Sequence, residues 1–241
     1  MLILPVSEIL TFQRSVFFLA AEMMIFATDT VEESSPMPQP ALILHGTKLS
    51  GHAHRVELFL LMLKLPYRFA DSPATVRQSE AFRRINPLGQ IPVLQDGDLT
   101  LADSNAILVY LAKKYAPDSP WLLEDPVGAS HVQRWLSIAA GEVKFGPGFA
   151  RLIAKGAATS SAADAAAIAS TLLNFMEAHL STRVYLAADH PTIADLACYS
   201  YVALAPEGGI ALEPFSAIRA WLRRVEALPG FRGMPAWPAP G

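Results

Sequence analysis

The pair Asp96-Gly97 is the feature that most restricts how this 241-residue chain can fold. Two short apolar runs, 91–95 and 99–102, flank the pair. A type I′ turn needs positive φ at both central residues, and Asp-Gly tolerates this conformation. The sequence therefore predicts a tight hairpin of two antiparallel strands.

The segment before the hairpin predicts two more strands with a helix between them. The apolar run Ala41–His45 indicates a buried strand. Apolar residues at i, i+3, i+4 and i+7 from Val56 indicate a buried helix that begins near Ser50 and is stopped by Pro66. Tyr67–Ala70 indicates the second strand. Because a helix joins these strands, we expect them to be parallel, so the whole sheet is mixed.

Two further helices complete this part of the chain. Val76–Ile85 has one apolar face and ends before Asn86-Pro87, and Asp103–Tyr115 begins with Asp103 or Ser104 as its cap. The predicted order is βαβαββα, an α/β unit with helices on both faces of a small sheet.

The rest of the chain predicts helices alone. The stretch Pro117–Pro126 contains three prolines and indicates a linker between domains. Thr192 and Asp195 have the spacing of a capping box, with Asp195 in place of the usual Glu or Gln, and we interpret the pair as helix-start chemistry. The predicted helices cover approximately residues 127–145, 161–179, 193–203 and 215–228.

Charge and cysteine content exclude several classes of function. A formal net charge of −3 gives no basic field for a phosphate backbone, so we expect no nucleic-acid partner. The single cysteine, Cys198, excludes an internal disulfide, a CxxC pair and a thiolate-rich zinc site. Cys198 lies in an apolar helical run, which favours a buried and inert thiol.

The first residues predict an extension outside the folded domains. Glu22 divides the apolar run Val16–Ala27, so we expect no membrane span. That run is apolar enough for a weak signal-peptide core, but no Lys or Arg precedes Arg14, and a cytoplasmic location is the better interpretation. Residues 1–37 are predicted to be either disordered or not translated, with Met37 the alternative start.

Four segments in order and register resemble the soluble glutathione S-transferases, of the serine type and bacterial-like. The segments are LSGHAHR at Leu49–Arg55, NPLGQIPVL at Asn86–Leu94, ADSNAILVYL at Ala102–Leu111 and TIADLAC at Thr192–Cys198. The resemblance covers approximately residues 41–231. It implies a thioredoxin-like domain at 38–118, a linker at 119–126, an all-α helical domain at 127–241 and a homodimer. It also implies glutathione as co-substrate.

The resemblance implies that Asp103 and Ser104 bind the γ-glutamyl end of glutathione. A helix N-terminus favours the carboxylate of that end, and the Asp103 carboxylate can pair with its ammonium group. The family usually has Glu where this chain has Asp103, which keeps the charge on a shorter side chain. A simple N-cap role for Asp103 remains the alternative, since Asp is a preferred cap.

The resemblance also implies a cis bond between Ile91 and Pro92. Ile91 would then pair with the peptide backbone of glutathione like a short added strand, with the amide of Gln90 beside it. Arg77 stands where related transferases often have a basic residue for the glycine carboxylate. A solvated surface charge is the equal alternative for Arg77.

Ser50 is predicted to stabilise the thiolate of glutathione. A free thiol titrates near pH 8.5, so a thiolate at neutral pH needs a hydrogen-bond donor, and the helix N-terminus adds to its effect. Ser50 as a simple helix cap is the alternative, and Thr47 is the local competitor. The segment Gly46–Arg55 contains neither Tyr nor Cys, which argues against the tyrosine-type and cysteine-type enzymes of this superfamily.

His52 is predicted to border the thiol pocket, and no metal site is expected. His52 and His54 are two residues apart, do not share a helix face and have no carboxylate beside them in that loop. Phe145, Phe149 and two more aromatic residues, Trp135 and Tyr199, could line the second-substrate pocket or simply pack in the core.

The sequence thus predicts a glutathione transferase that directs the thiolate at an electrophilic, apolar small molecule. Two alternatives remain. One is a glutathione-dependent isomerase or dehalogenase, and the other is a non-catalytic module for glutathione binding or assembly.

Overall fold

The computed structural model of the chain describes residues 41–235 and residue 237. The predicted extension at 1–37 lies outside these residues, as do the last residues of the predicted helical domain. Within the described part, no helix combines the length and the apolarity needed to cross a bilayer.

The first part of the described chain forms a four-stranded mixed sheet with its helices. The elements in chain order are β1 (Leu42–Gly46), α1 (Gly51–Met62), β2 (Tyr67–Asp71), α2 (Ala74–Arg77), α3 (Glu80–Ile85), β3 (Val93–Asp96), β4 (Leu99–Ala102) and α4 (Ser104–Tyr115). The strand order is β2-β1-β3-β4. β1 pairs in parallel with β2, while β3 is antiparallel to both β1 and β4. The predicted parallel pair is confirmed, and β3 and β4 form the predicted hairpin. The predicted turn is wrong by one residue: Asp96 pairs with Leu99 inside the ladder, so the turn residues are Gly97 and Asp98, and of these only Gly97 has positive φ.

One predicted helix is divided in the structure. The segment Val76–Ile85 contains the end of α2 and all of α3, rather than a single helix. The side chain of Ser79 accepts a hydrogen bond from the backbone N–H of Phe82 at 3.2 Å. Ser79 thus caps a new helix, and this local bond competes with a continuous helical ladder.

The sheet is covered on both faces. Leu42 and Leu44 of β1 are buried in one core with the apolar residues of α1 and α4. His45 points to the opposite face, because side chains alternate along a strand. There its ring contacts the ring of Phe82 in α3, with centroids 6.0 Å apart. This is the thioredoxin-like arrangement that the resemblance implies.

The second part of the described chain is helical, as predicted. The elements are α5 (Pro126–Ala140), a π-helical turn (Lys144–Gly148), α6 (Phe149–Ala154), α7 (Ala162–Leu180), α8 (Ile193–Ala203), a 3₁₀ turn (Ala205–Gly208) and α9 (Ser216–Glu226). The π-helical turn and α6 have no counterpart in the prediction. Gly141 ends α5, and Pro147, which has no N–H to donate, lies inside the π-helical turn.

The predicted capping box at the start of α8 is confirmed. The Asp195 carboxylate accepts hydrogen bonds from the backbone N–H of Thr192 at 2.9 Å and of Leu186 at 3.0 Å. The indole N–H of Trp221 in α9 donates to the same carboxylate at 2.9 Å. Asp195 therefore joins the start of α8 to its neighbours, and α8 is the buried central helix of this part.

Candidate functional site

A cavity of about 740 Å³ lies where the loops of the mixed sheet meet the helical part of the chain. It is lined by every residue that the sequence analysis assigned to binding or catalysis. These residues are Thr47, Ser50, His52, Arg77, Gln90, Ile91, Pro92, Asp103 and Ser104. They come from four separate segments of the chain, which the fold brings to one place.

Ser50 caps α1 and faces the cavity at the same time. Its backbone is extended, with φ −88° and ψ 115°, and its Oγ accepts a hydrogen bond from the backbone N–H of Ala53 at 3.3 Å. The backbone N–H of Ser50 donates to the carbonyl of Thr47 at 3.0 Å. The cap leaves the hydroxyl proton of Ser50 for another acceptor, since a hydroxyl both donates and accepts.

A tyrosine from the helical part lies beside this helix start. The ring of Tyr201, in α8, packs so closely on Gly51 that a Cβ added to Gly51 would lie 2.7 Å from Cε1 of Tyr201. Burial raises the pKa of the Tyr201 phenol above its ordinary value. The segment Gly46–Arg55 contains no tyrosine, and Tyr201 comes from a distant segment that no local pattern connects to Ser50.

His52 borders the cavity as predicted. Its ring packs edge-on against Tyr201 with centroids 5.1 Å apart, and its Nδ1 lies 3.4 Å from Oγ of Ser104. Burial, followed by the positive charges of Arg55 and Lys144, holds the pKa of His52 well below its ordinary value. The imidazole of His52 is therefore neutral at neutral pH.

His54 has a different role from His52. Its Nδ1 is 2.8 Å from Oγ of Ser200 in α8, and its Nε2 is 2.8 Å from the carbonyl of Arg232. His54 therefore ties α1 to the helical part and to the segment after α9. Among the residues that the structure describes, no group of three or more His, Cys, Asp or Glu side chains could hold a metal ion.

The loop before β3 has the predicted backbone. The peptide bond between Ile91 and Pro92 is cis. The buried side chain of Asn86 fixes this loop, because its amide donates to the carbonyl of Gln90 at 2.8 Å and its Oδ1 accepts from the N–H of Leu88 at 3.2 Å. Arg77 lines the same side of the cavity, and within the described residues its buried Nε has no hydrogen-bond partner.

Asp103 is a helix cap that also borders the cavity. Its φ is +77°, and its Oδ1 accepts hydrogen bonds from the backbone N–H of Asn105 at 2.9 Å and of Ala106 at 3.0 Å. The side chain of Ser104 is buried beside it. The two capping bonds both use Oδ1, so the cap role does not exclude a ligand role for the same carboxylate.

Arg55 is a buried cation that the sequence analysis did not single out. It is fully buried in α1 and lines the cavity. Its Nη1 donates to Oδ1 of Asn105 at 3.0 Å and lies 3.4 Å from Oγ of Ser104. Arg55 ends the segment LSGHAHR, so the signal in the sequence was a charged residue at the start of the apolar part of α1.

The opposite side of the cavity is built by the helical part and by the segment after α9. Its residues are Ala140, Lys144, Leu152, Ala157, Tyr201 and Trp237. The buried Arg151 supports this side: its Nε donates to Glu207 at 2.8 Å, and its Nη1 donates to the carbonyl of Leu49, next to Ser50, at 2.9 Å. The ring of Trp237 lies over the Arg151 guanidinium, with the centroid 5.0 Å from Cζ.

The four aromatic residues considered for the second-substrate pocket do not line this cavity in the described part of the chain. Trp135 stacks on Phe175 with centroids 5.5 Å apart, and the hydroxyl of Tyr199 donates to Glu226 at 2.9 Å. Phe145 and Phe149 contact each other. Trp135 and Tyr199 therefore pack in the core, whereas Phe145 is 42% exposed and is not a core residue.

Two family models match the chain. The N-terminal domain of glutathione S-transferase matches residues 44–120, and the C-terminal domain of glutathione S-transferase matches residues 151–229. "Glutathione S-transferase 3" of Zea mays is 31% identical over 207 residues, which are 79% of this chain and 91% of that protein.

Solved structures show the same similarity. A glutathione S-transferase from Pseudomonas fluorescens is 31% identical, with a TM-score of 0.75 over 80% of this chain and 98% of that one. A glutathione transferase homolog from Drosophila mojavensis with bound glutathione is 29% identical, with a TM-score of 0.68 over 78% of this chain and 88% of that one.

Proposed function

The chain belongs to the glutathione S-transferase family and is a glutathione transferase, and from this premise we propose how its cavity performs the reaction. The observation that carries the proposal is that one cavity collects all nine residues predicted from four separate segments. The isomerase, dehalogenase and non-catalytic alternatives are not favoured, because the similar proteins are named as transferases.

Glutathione lies along the sheet side of the cavity in this proposal. Its γ-glutamyl end binds at Asp103 and Ser104, where the positive end of the α4 dipole and the Asp103 carboxylate meet opposite charges. Its peptide backbone pairs with Ile91, beside Gln90. Its glycine carboxylate faces Arg77, whose buried Nε has no other partner among the described residues.

Ser50 stabilises the thiolate in this proposal. The hydroxyl of Ser50 donates to the sulfur while its Oγ continues to accept from the N–H of Ala53. The thiol proton leaves to solvent, the sulfur forms a bond to an electrophilic carbon, and the leaving group departs with the electron pair of the broken bond. The protein contributes proximity and a lower thiol pKa.

The electrophile lies on the helical side of the cavity in this proposal. Leu152, Tyr201 and Trp237 line this side of the cavity and provide an apolar surface for it. An apolar small molecule suits this surface, since small-molecule sites are mostly apolar with a few polar groups.

A calorimetric titration with glutathione, combined with turnover of a panel of electrophiles, tests the proposal. The panel contains aryl halides, benzyl halides and epoxides, each of which has an electrophilic carbon whose bond to a leaving halide or oxygen breaks as the bond to sulfur forms. We expect glutathione to bind and at least one class to be turned over. Binding of glutathione without turnover of any class would contradict the transferase mechanism, and absence of glutathione binding would contradict the whole assignment.

We further propose a homodimer. A groove of about 700 Å³ between α5 and α7 is lined by the half-buried Ile138 and Phe175 beside Arg134 and Glu142, a mixture of apolar and charged groups that suits a self-complementary contact. Sedimentation should give the mass of two chains, and Ile138→Arg should give the mass of one. Val127→Arg, an exposed position on the same helix, is the matched control.

We also propose a cytoplasmic location, because a reaction of the glutathione thiol needs a compartment that keeps thiols reduced. Fractionation of cells that produce the full chain tests this proposal. Recovery of the protein outside the cytoplasmic fraction would contradict it.

A further inference from the structure

The helical side of the cavity carries a positive charge and no negative one in the described part of the chain. The residues that line this side there are Ala140, Lys144, Leu152, Ala157, Tyr201 and Trp237. None of these six is acidic, and Lys144 is the charged one. A lysine ammonium group has three N–H donors and no acceptor, so it favours an anion in the space that it lines.

The ammonium group of Lys144 has no counter-ion of its own. Lys144 forms no ion pair within the described residues. Its Nζ lies over the ring of Phe145, 4.8 Å from the centroid, a contact that leaves the charge without an anionic partner. Glu142, the acidic residue nearest to it in the sequence, lines the groove between α5 and α7 instead. The charge of Lys144 can therefore be neutralised by a ligand in the cavity.

The backbone that carries Lys144 is held between two helices. Lys144 is the first residue of the π-helical turn, and turns of this kind occur frequently at functional sites. A Cβ added to Gly146 in this turn would lie 2.9 Å from the backbone nitrogen of Ala169 in α7. A Cβ added to Gly148 would lie 3.3 Å from the ring of Tyr201 in α8. The turn thus packs closely on both helices, and this packing fixes where Lys144 enters the cavity wall.

The field of Lys144 extends to the proposed thiol position. Burial, followed by the charges of Arg55 and Lys144, lowers the pKa of His52. The ring of His52 packs against Tyr201 at the start of α1, the helix that Ser50 caps. Lys144 therefore acts at the place where the proposed function brings the sulfur and the electrophile together.

Glutathione does not need Lys144 for its own charged groups. In the proposed function, the ammonium group binds at Asp103, the glycine carboxylate faces Arg77, and the γ-glutamyl carboxylate lies at the start of α4. All three partners belong to the sheet side. Lys144 is thus the cation that remains for the second substrate.

We propose that the second substrate is an electrophile with an apolar body and a carboxylate, and that Lys144 binds this carboxylate. The inference rests on the proposed function, because it requires glutathione on the sheet side and the electrophile on the helical side. Leu152 and Trp237 contact the apolar body. The ion pair with Lys144 orients the electrophilic carbon towards the sulfur, and the carboxylate takes no part in the bonds that form and break.

Binding of four glutathione conjugates to the wild-type protein and to Lys144→Met tests the proposal. Two of them, S-(3-carboxybenzyl)glutathione and S-(4-carboxybenzyl)glutathione, present a carboxylate at different positions of an apolar ring. The corresponding carboxamides are neutral and have nearly the same shape. The sulfur is an uncharged thioether in all four, so an effect of Lys144 on a thiolate cannot contribute. We expect the wild-type protein to bind at least one carboxylate roughly 5- to 10-fold more tightly than its carboxamide.

In Lys144→Met this preference should fall to about 2-fold or less, because the charge is lost from a side chain of similar length. Lys144→Arg, which keeps the charge, should keep the preference. Lys155→Met is the matched control, since Lys155 follows α6 on the same part of the chain and does not line the cavity. Equal binding of carboxylates and carboxamides by the wild-type protein would overturn the proposal, as would full preference in Lys144→Met.

The pKa of the thiol in bound glutathione distinguishes a role of Lys144 towards the sulfur. We expect Lys144→Met to change this pKa by less than about half a pH unit, because Ser50 and the start of α1 remain. A clearly raised pKa with the carboxylate preference retained would overturn the proposal, since Lys144 would then serve the thiolate. Failure of the wild-type protein to bind glutathione would instead contradict the proposed function. Binding of glutathione without any preference for the carboxylates contradicts this inference alone.

Discussion

The two sides of the cavity differ in where their residues come from. The sheet side is built from four places in the chain, 47–55, 77, 86–92 and 102–105, and three of them carry a helix cap or a cis bond. The helical side combines single residues from α5, the π-helical turn, α6, α8 and the segment after α9. The sheet side therefore depends on local backbone geometry, and the helical side depends on how distant helices pack.

This difference suggests a division of function that can be measured. On the sheet side, polar groups held by the local backbone bind glutathione, the substrate common to all the reactions. On the helical side, apolar side chains from several helices determine which second substrate fits. Substitutions on the sheet side should alter the kinetics for glutathione. Substitutions on the helical side should alter the kinetics for the electrophile alone.

The largest effect is expected from Ser50→Ala. Loss of one hydrogen bond to a charged sulfur should raise the pKa of the bound thiol by about one to two pH units. The thiolate fraction at neutral pH then falls, so kcat/KM should decrease by roughly 10- to 100-fold and the pH–rate profile should move to higher pH. The absorbance of the thiolate during a pH titration measures this shift.

Ser161→Ala is the matched control for Ser50→Ala. Ser161 caps α7 with the same type of bond, from the N–H of Asp164 at 3.2 Å, and it does not line the cavity. Ser161→Ala should lower the free energy of unfolding about as much as Ser50→Ala and leave the pKa of the bound thiol unchanged. If Ser50→Ala behaves like this control while Thr47→Ala or His52→Ala shifts the titration, Ser50 is only a cap and the neighbour stabilises the thiolate.

A smaller effect, on affinity, is expected from Asp103→Ala. Loss of the carboxylate that meets the ammonium group should weaken glutathione binding by about 10-fold, since the side chain is exposed and its charge is partly screened. Asp103→Asn separates the two roles of this residue, because it keeps an acceptor for the α4 N–H groups and removes the charge. Calorimetry with glutathione measures both variants.

Asp125→Ala is the control for Asp103→Ala. Asp125 caps α5 through Oδ1, which accepts from the N–H groups of Val127 and Gly128, and it is remote from the cavity lining. It should lower stability and leave glutathione affinity intact. Wild-type affinity in folded Asp103→Ala protein would show that the residue is a cap alone.

Trp237→Ala should alter the kinetics for the second substrate only. The KM for an apolar electrophile should rise by about 3- to 5-fold, because an aromatic surface is lost from the helical side. The KM for glutathione should stay constant. Phe145→Ala, an aromatic residue outside the cavity lining, should change neither value. An equal rise in both KM values for Trp237→Ala would contradict the division between the two sides.

The smallest effect is expected from starting the chain at Met37. Among the described residues, those that line the cavity all come after residue 36, and we expect the shortened protein to fold and to keep both KM values. Activity assays and thermal unfolding of the shortened and full-length proteins measure this. If the shortened protein is not folded and active, residues 1–36 contribute to the core or to the site.

The sequence predicted most of the sheet side, and the reason is physical. The hairpin of β3 and β4 and the cap at Asp103 are determined by neighbouring residues, so the prediction was close, although the turn lies at Gly97-Asp98, one residue later than predicted. The cis bond at Ile91-Pro92 was implied by the resemblance. Even here the prediction was incomplete. The prediction joined α2 and α3 into one helix, because the apolar periodicity continues through Ser79. In the structure, the side chain of Ser79 caps α3 and so divides the two helices.

The helical side could not be predicted in the same way. Tyr201 reaches Gly51 only because α8 packs on α1, and that contact depends on complementary surfaces rather than on spacing in the sequence. Large aromatic residues were the natural candidates for a pocket, yet Trp135 and Tyr199 are core residues with partners of their own. Arg55 was overlooked for a related reason: burial distinguishes it, and burial is a property of the folded chain.

The burial of Cys198 has a practical consequence for work on a thiol-dependent enzyme. The chain has a single cysteine, its side chain is fully buried, and its Sγ faces the carbonyl of Trp135 at 3.8 Å. Burial raises the pKa of this thiol, so its reactive thiolate is scarce in the folded state. The folded protein should resist maleimides and mixed-disulfide formation with oxidised glutathione. Dyes attached to newly introduced surface cysteines would then report on those positions alone, and uptake of a thiol reagent by the unaltered chain would measure how often α8 opens.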